Sequence, residues 1–473
     1  MKLTAKDLDT LMHVEFRNRD LLQGKKISGV STDSRKISEG ELFIALKGAN
    51  YDGHTFVADV FARGAAVGVV DTSFKPDSVS TRPLLVVEDT TRALGELAHQ
   101  HRMKFDIPIL AIGGSNGKTT TKDMVTAVLA TTYKILGTEG NLNNHIGVPQ
   151  MLLHLRKRHE IAVIEIGTNH PGEIDYLCSI LVPTHGLVTN VGREHLEFFK
   201  SIEGVADEEG VLFDHLKRNK KSVAFVNTDD ALIQPKAKGL KRRITYGLAS
   251  IPTKSGVDVR GMLVGVNETG CASFEYVSKK PARHDTIQLA IPGEHNVMNA
   301  LAAVAVGLSF KVPAKRIRRA LESLHPTSKR MEVLNYEGVI IYNDTYNANP
   351  DSMISALKTL AAAKVPGKKI AVLGDMRELG EHGREEHARV GREAAKLGID
   401  YLLTYGELAR AIHDATSVQY SLHYDQKNML AEYLAELIAP GDAVLVKGSR
   451  GMKMEDVVTF LEERLRSTVV PLV

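Results

Sequence analysis

The sequence predicts an α/β protein of three domains, at residues 1–105, 106–325 and 326–473. An apolar run, a glycine-rich loop and an amphipathic helix follow one another between residues 107 and 129. Apolar and helical stretches alternate again through the last third of the chain, which is typical of an open parallel sheet. The length of 473 residues has room for three such domains. We expect an N-terminal α/β domain, a central parallel-sheet domain around the glycine-rich loop, and a C-terminal Rossmann-like domain.

Composition and charge exclude several classes of function. The formal net charge of +3 gives no basic surface of the kind that binds nucleic acid. No apolar run approaches the roughly 20 residues of a membrane-spanning helix. Cys178 and Cys271 lack the spacing of a metal site, so we expect buried thiols in a reducing compartment. These observations indicate a cytoplasmic protein without a nucleic-acid partner or a membrane span.

The first domain carries a polar loop that could hold a nucleotide. We expect strands at 26–35, 40–47, 67–70 and 84–87 and helices at 55–66 and 91–104. The loop gathers hydroxyls, a carboxylate and a guanidinium in Ser31, Thr32, Asp33, Ser34 and Arg35. Such a set suits the uracil, ribose and diphosphate of a nucleotide, with Arg35 on phosphate oxygens. A solvated turn held by Asx-type hydrogen bonds is the alternative.

The segment Gly113–Thr119 has the composition of a phosphate-binding loop. Backbone N–H groups and the start of the next helix would face an anion, Lys118 would neutralise it, and Thr119 would reach Mg²⁺. The spacing is one residue shorter than the usual Walker pattern, because Ile112 stands where the first glycine would be. The residues assigned to phosphate binding are Gly114, Ser115, Asn116, Gly117, Lys118, Thr119 and Thr120.

Other strand ends of the central domain also carry polar side chains. Buried strands are predicted at 161–166, 186–190 and 222–227, a β-rich insertion at 243–292, and helices at 293–303 and 314–324. Ligands of parallel sheets lie at the carboxyl ends of the strands. Glu165, in an otherwise apolar strand, is a candidate Mg²⁺ ligand, with a buried ion pair as the alternative. His195 follows the next strand and is a candidate for the same site, with a structural histidine as the alternative.

The third domain is predicted from regular alternation. Strands are expected at 339–342, 370–373, 401–404 and 443–446, and helices at 351–363, 384–397, 427–438 and 453–465. The G-x-G-x-x-G fingerprint of a dinucleotide site is absent from Leu373–Met376. We therefore expect this domain to contribute to a shared site rather than to hold a dinucleotide itself.

Several motifs spread over the whole chain make it resemble the Mur ligase family. The motifs are Ser31–Arg35, Gly40–Leu46, Gly113–Thr119, Gly140–Asn144, Glu165–Glu173, Asn190–Glu197, Gly293–Asn296, Asp344–Pro350, Val372–Gly380 and Leu445–Arg450. The segments Asn169–Glu173, Tyr346–Pro350 and Gly374–Met376 point to the branch of the family that adds D-Ala-D-Ala. The resemblance implies a UDP-sugar domain, a central P-loop ATPase-like domain and a mobile C-terminal domain.

The resemblance also implies a reaction and roles for named residues. ATP would phosphorylate the terminal carboxylate of UDP-MurNAc-tripeptide, and the amine of D-Ala-D-Ala would displace phosphate, completing a peptidoglycan precursor. Thr119 and Glu165 would hold one Mg²⁺, His195 would hold a second near the acyl phosphate, and a monomer is expected. Further implied contacts are Asn296, Asn299, Arg330 and Asp344 for ATP, Asn143 and Asn144 for the UDP substrate, and Tyr346, Asn347 and Asn349 for D-Ala-D-Ala.

Two positions depart from the family pattern. The family has a carbamylated lysine that supplies an anion to a second Mg²⁺, and Glu209 stands in its place here. Glu209 is already a carboxylate, so we expect it to be a direct or water-bridged ligand of that metal; the alternative is that Glu208 or Glu209 lies on the surface. The second departure is His145, where the family more often has an acidic residue, which affects contacts to the peptide.

Two other functions remain open from the sequence. One is a ligase of the same superfamily for another carboxylate, such as a folate or a different muramyl peptide; the loop Ser31–Arg35 argues against the folate version. The other is a non-catalytic paralogue that binds a nucleotide sugar. Lys118, Thr119, Glu165 and His195 argue against that second alternative.

Overall fold

The computed structural model describes residues 3–48, 50–76, 79–248 and 256–467 and confirms the α/β class. The chain forms two compact units. The first comprises Met1–Leu110, Lys134–Gly167 and Glu173–Pro183, and the second Ala111–Tyr133, Thr168–Gly172 and Thr184–Val473. The domain limits at 105/106 and 325/326 stay predictions. In the described ranges, no helix has both the length and the apolar character needed to cross a membrane.

The N-terminal part of the chain folds around a five-stranded sheet of order β1-β7-β6-β3-β2, parallel except at β1. Its elements are α1 (Ala5–Leu8), β1 (Glu15–Arg17), β2 (Val30–Ser31), β3 (Leu42–Ile44), β4 (Lys47–Gly48), β5 (Tyr51–Asp52), α2 (Val57–Ala62), β6 (Val67–Asp71), β7 (Leu84–Val87) and α3 (Thr90–Arg102), with 3₁₀ turns at Arg19–Leu22 and Gly53–Phe56. The strand predicted at 26–35 was too long. Only β2 forms there, because the side chains of Ser31 and Asp33 hydrogen-bond locally and turn the backbone away from the sheet.

The middle of the chain contributes strands to both units. Its elements are β8 (Ile109–Gly113), α4 (Lys118–Ala130), β9 (Ile135–Gly137), α5 (Gly147–Leu153), β10 (Ile161–Glu165), α6 (Glu173–Leu181), β11 (His185–Val188), α7 (Leu196–Phe199), α8 (Ile202–Lys217), β12 (Val223–Asn227), α9 (Ile233–Lys236), β13 (Arg243–Leu248), β14 (Val259–Val266), β15 (Cys271–Lys279), β16 (Ala282–Pro292), α10 (Asn296–Ser309) and α11 (Ala314–Glu322). In the first unit, β9 and β10 pair in parallel. In the second, β11 to β14 run parallel and β15 and β16 are antiparallel. The β-rich insertion is confirmed, although its residues 249–255 lie outside the described ranges.

The last third forms a six-stranded sheet of order β17-β18-β22-β19-β20-β21, parallel except at β17. Its elements are β17 (Glu332–Tyr336), β18 (Val339–Asp344), α12 (Pro350–Ala362), β19 (Lys369–Gly374), α13 (Gly383–Ala395), β20 (Tyr401–Tyr405), α14 (Arg410–Ala415), β21 (Tyr420–Tyr424), α15 (Lys427–Leu437), β22 (Ala443–Lys447) and α16 (Glu455–Ser467), with 3₁₀ turns at Gly380–His382 and Arg450–Met452. The Rossmann-like arrangement is confirmed. The edge strands β17 and β21 were not predicted, because edge strands alternate polar and apolar residues and lack a continuous apolar run.

Candidate active site

The phosphate loop joins β8 to α4, as the sequence predicts. Gly114 has a φ of 112° and Gly117, the first residue before the helix, a φ of 78°. A Cβ atom on Gly114 would lie 2.3 Å from Oγ1 of Thr189 and 2.7 Å from its backbone nitrogen. A Cβ atom on Gly117 would lie 2.7 Å from Oδ1 of Asn299, so both glycines are required by contact as well as by backbone conformation. The N–H groups at the start of α4 have no carbonyl partner within the helix, so this end favours an anion.

Residues far along the chain hold the loop in place. The side chain of Asn190 makes two hydrogen bonds to the backbone of Asn116. Oδ1 of Asn190 accepts from the Asn116 nitrogen at 3.0 Å, and Nδ2 of Asn190 donates to the Asn116 carbonyl at 2.9 Å. Thr189 donates to the same carbonyl at 2.7 Å. Buried Asn299 accepts from Thr121 at 3.1 Å, on the first turn of α4. Hydrogen bonds from several sides thus hold the loop, and the predicted residue Asn299 supplies one of them.

Two glutamates and one lysine give this site its charge. Nζ of Lys118 lies 3.5 Å from Oε2 of Glu194, and Oε2 of Glu209 accepts from the backbone nitrogen of Gly114 at 2.7 Å. Burial raises the pKa of Glu209, Lys118 opposes this effect and Glu194 adds to it. In the described part of the chain, Oε1 of Glu209 and Oε1 of Glu194 are buried without a hydrogen-bond partner.

The alternative that Glu208 or Glu209 lies on the surface is wrong. Glu209 is fully buried, and Glu208 is 7% exposed. Oε2 of Glu208 accepts from the backbone nitrogen of Gly172 at 2.9 Å, which secures the loop at 168–172. Both carboxylates therefore have interior roles, and only Glu209 faces the phosphate loop. Its role as a metal ligand stays a prediction.

His195 precedes α7 and faces a carboxylate that the sequence did not single out. Its Nδ1 lies 2.7 Å from Oε2 of Glu378, and its side chain is 12% exposed. His195 holds the pKa of the Glu378 carboxyl below its ordinary value, although burial acts in the opposite direction. His195 thus has a defined partner in Glu378, and its place in the site stays a prediction.

Predicted site residues in the last third of the chain also make defined contacts. The Arg330 guanidinium carbon lies 3.8 Å from the ring centre of Tyr346. Lys447 pairs with Asp344 at 2.5 Å and donates to the Asn347 carbonyl at 2.9 Å.

Asn349 donates through Nδ2 to Oδ1 of Asn116 at 2.9 Å, so this part of the chain reaches the phosphate loop. Asn296 is buried and accepts from Asn299 at 2.9 Å. The second unit thus brings Asn299, predicted for ATP, and Asn349, predicted for D-Ala-D-Ala, to one loop.

In the first unit, the predicted metal ligand Glu165 meets a residue predicted for the UDP substrate. Glu165 is 1% exposed at the end of β10, and its Oε1 accepts from Nδ2 of Asn143 at 2.8 Å. Asn144 has a local structural role, because its Oδ1 accepts from the backbone nitrogens of Ile146 and Gly147 before α5. Glu165 and Asn143 therefore form one cluster, whereas Asn144 holds the backbone before α5.

The loop Ser31–Arg35, also in the first unit, is held mainly by its own side chains. Arg35 donates through Nε and Nη2 to the two carboxylate oxygens of Asp33, both at 2.9 Å, and lowers the pKa of Asp33 to about 2. Thr32 accepts from Gln150 at 2.7 Å. The Arg35 side chain is 82% exposed. This geometry includes the predicted Asx-type turn and leaves the guanidinium accessible to a ligand.

Sequence reasoning missed three charged residues of the site. Lys447 is 2% exposed in an apolar strand, which is the same signal that identified Glu165. Glu194 and Glu378 gave no such signal, because each lies in a polar loop and gains its meaning from a distant partner, Lys118 or His195. His145 is exposed.

Fold and site together define a class: an α/β protein whose phosphate loop joins a strand to the N-terminus of a helix. Three family models match consecutive parts of this chain. They are "Mur ligase family, catalytic domain" over residues 26–102, "Mur ligase middle domain" over 112–307, and "Mur ligase, glutamate ligase domain" over 329–450. The chain belongs to the Mur ligase family.

Named relatives resemble the chain over nearly its whole length. The UDP-N-acetylmuramoyl-tripeptide–D-alanyl-D-alanine ligases of Bacillus subtilis and Escherichia coli are 36% and 35% identical to it, and each match covers 98% of this chain and 99% of the relative. A crystal structure of MurF from Acinetobacter baumannii superposes with a TM-score of 0.87 at 33% identity, covering 98% of this chain and 99% of that one. MurF ligase from Thermotoga maritima in complex with ADP gives 0.82 at 28% identity, covering 94% and 99%.

Proposed function

We propose that this chain is an ATP-dependent ligase that joins D-Ala-D-Ala to UDP-MurNAc-tripeptide. The observation that carries the proposal is the full-length similarity to ligases named for this reaction, at 35–36% identity. A ligase for another carboxylate and a non-catalytic paralogue are not favoured by any relative reported above. Because ATP and UDP-linked sugars are intracellular metabolites, we expect the reaction to occur in the cytoplasm. We also expect the enzyme to be a monomer.

The reaction proceeds in two transfers. An oxygen of the tripeptide carboxylate attacks the γ-phosphorus of ATP, and the bond to ADP breaks. The amine nitrogen of D-Ala-D-Ala then attacks the carbonyl carbon of the acyl phosphate, loses a proton, and forms the amide. Phosphate leaves with one oxygen of the original carboxylate.

This chain's residues contribute mainly positioning and charge. The N-terminus of α4 and Lys118 offset negative charge on the phosphoryl group during transfer. In the contact described above, Lys118 is engaged by Glu194, so the incoming phosphates compete with a carboxylate for the same cation. Asn349, delivered from the last third of the chain, completes the wall of the loop at Asn116. Arg330 and Asp344 are proposed to contact the γ-phosphate and the ribose.

The remaining assignments follow the family pattern residue by residue. We propose that Asn296 and Asn299 lie near the adenine, and that Tyr346, Asn347 and Asn349 face D-Ala-D-Ala. Ser31–Arg35, Asn143 and Asn144 are proposed for the UDP substrate.

The donor set fits Mg²⁺. Mg²⁺ takes one or two carboxylates together with substrate phosphates and water rather than an all-protein cage. In the described ranges, no group of three or more His, Cys, Asp or Glu side chains is assembled for a metal. The buried Oε1 of Glu209, which lacks a hydrogen-bond partner among the described residues, is a suitable donor.

We propose four protein residues for Mg²⁺ binding. Thr119, His195 and Glu209, in the second unit, and Glu165, in the first, are each proposed as a Mg²⁺ ligand. When bound, Mg²⁺ would supply positive charge for the phosphate oxygens.

The test of the activity is phosphate release from ATP with each substrate alone and with both together. We expect rapid release only when UDP-MurNAc-tripeptide and D-Ala-D-Ala are both present. Release that neither substrate stimulates would contradict the ligase proposal. The role of Glu209 is tested separately by Glu209→Gln, which we expect to lower turnover and raise the Mg²⁺ concentration required; unchanged values of both would contradict the metal-ligand role.

A further inference from the structure

The contact between His195 and Glu378 joins two separate parts of the second unit. His195 lies in the loop between β11 and α7, and Glu378 follows β19, 183 positions later in the numbering of the chain. Nδ1 of His195 is 2.7 Å from Oε2 of Glu378. The histidine side chain is 12% exposed and the glutamate side chain 49% exposed. Among the described residues Nδ1 is buried without a hydrogen-bond partner, but the carboxylate charge of Glu378 lies next to it and favours a proton on that nitrogen.

Both residues adopt an uncommon backbone conformation. The φ angles of His195 and Glu378 are 49° and 66°, in the left-handed region that residues other than glycine rarely occupy. Each such residue carries backbone strain and persists only where its surroundings hold it. A partly exposed ion pair contributes little stability. The pair therefore does not offset its backbone strain, which is the pattern expected where geometry serves function.

The segment Met376–Gly380 is fixed against α7. The Glu378 carbonyl accepts from the backbone nitrogen of Glu197 at 3.3 Å. A Cβ atom on Gly380 would lie 3.1 Å from Cα of Glu197, so the two backbones are closely apposed. Met376 and Leu379 are buried in one apolar cluster with the α7 residues Leu196 and Phe199. This packing places the Glu378 carboxylate on His195.

The far side of the same segment is also fixed. The backbone nitrogen of Met376 donates to Nε2 of His387 at 2.8 Å, and that of Arg377 donates to Oγ of Ser449 at 2.8 Å. The position of Glu378 is thus set by the C-terminal sheet domain.

We propose that Glu378 is a positioning residue for the ligase reaction: it holds the proton of His195 on Nδ1 and presents Nε2 to the ligand of the site. A carboxylate on one imidazole nitrogen fixes the tautomer and the ring orientation, and it raises the basicity of the other nitrogen. The inference rests on the proposed function, since that function gives His195 its ligand. It couples domain docking to chemistry, because His195 is oriented only when Met376–Gly380 lies on α7.

The substitution Glu378→Gly tests the effect of the carboxylate separately from the effect of the backbone conformation. Glycine accepts a φ of 66° without strain, so this variant keeps the loop and removes only the side chain. Glu337→Gly is the matched control, because Glu337 is exposed, has a φ of 51° and lies in the turn between β17 and β18. Glu378→Gln provides a second variant that keeps the side-chain length.

The first readout is the tautomer of His195 in the metal-free protein. It is measured by ¹⁵N NMR of histidine-labelled protein at about pH 9, above the ordinary histidine pKa of about 6.5. The His195 resonance is assigned by its loss in His195→Asn. We expect Nδ1-H in the wild type and in Glu337→Gly, and loss of that preference in Glu378→Gly.

The second readout is kinetic. We expect kcat/KM to fall about 10- to 100-fold in Glu378→Gly, less in Glu378→Gln, and not in Glu337→Gly, with unchanged melting temperatures. An unchanged His195 tautomer in both Glu378 variants would overturn the proposal. Absence of ligase activity in the wild type would instead contradict the proposed function, and the tautomer experiment would still decide the role of Glu378.

Discussion

The phosphate loop and the loop Ser31–Arg35 are both polar, yet they are held in different ways. The partners of the phosphate loop come from distant positions: Asn190, Glu209 and Asn299. Ser31–Arg35 is held largely by contacts within five residues, and its Arg35 side chain is 82% exposed. A loop braced from many sides is ordered before its ligand arrives, whereas a loop braced by itself can adjust when the ligand binds. We therefore expect substitutions in the phosphate loop to change both stability and catalysis, and substitutions in Ser31–Arg35 to change mainly the KM of one substrate.

The largest effect is expected from Lys118→Met. Removing a cation that stabilises the transferring phosphoryl group lowers kcat by about 10²- to 10³-fold. The measurement is steady-state phosphate release with both substrates at saturation. Lys122→Met serves as the control, because Lys122 lies one turn along α4 and pairs with Asp123. The control is expected to change stability rather than kcat, and an equal loss of kcat in both variants would contradict the role of Lys118.

Gly114→Ala tests whether the loop is as rigid as its contacts indicate. The added Cβ meets the backbone of Thr189, so we expect a loss of about 3 kcal/mol or more in unfolding free energy. Displacement of the loop by about 1 Å lowers kcat/KM about 100-fold. Chemical denaturation and ATP titration measure the two effects.

The matched control is Gly140→Ala. Gly140 has a φ of 55° but no atom within 4 Å of the added Cβ. The substitution Gly140→Ala should lower the free energy of unfolding by only about 1 kcal/mol, through backbone strain. Equal destabilisation by the two substitutions would show that the contacts around Gly114 do not matter.

Asn299→Ala is expected to have an intermediate effect. It removes a buried amide that accepts from Thr121 and donates to Asn296, which costs about 1–3 kcal/mol for the groups left without partners. The KM for ATP should rise, while the KM for UDP-MurNAc-tripeptide should not. A selective effect on the UDP substrate instead would place Asn299 outside the ATP site.

Arg35→Ala should have the smallest and most selective effect. Because Arg35 is exposed, we expect no change in melting temperature. The loss of one charged hydrogen bond to a diphosphate raises the KM for UDP-MurNAc-tripeptide about tenfold. ATP affinity, measured by calorimetry, should match the wild type. An unchanged KM would favour the alternative that this loop is only a solvated turn.

The two loops also differ in how far the sequence could predict them. Gly113–Thr119 was identified with its flanking strand and helix, because glycines, lysine and threonine in that order have few other structural uses. The residues of Ser31–Arg35 were identified as a set, but their strand was predicted too long, since local hydrogen bonds of Ser31 and Asp33 compete with pairing.

Side chains that depend on distant partners were hardest to predict. Glu165 was identified because a carboxylate in an apolar strand is costly, and Lys447 carries the same signal. Glu194 and Glu378 lie in polar loops, where a glutamate is unremarkable until the fold places it beside Lys118 or His195. Glu209 was identified only by comparison with the family, and its burial corrects the surface alternative.

The central claim is that ATP activates the carboxylate of the tripeptide as an acyl phosphate. It is tested most directly with UDP-MurNAc-tripeptide that carries ¹⁸O in its terminal carboxylate, together with ATP and D-Ala-D-Ala. The phosphate released is then analysed by mass spectrometry. One ¹⁸O atom is expected in each phosphate, because the carboxylate oxygen that attacks phosphorus leaves with it. Phosphate without ¹⁸O, alongside amide formation, would contradict it.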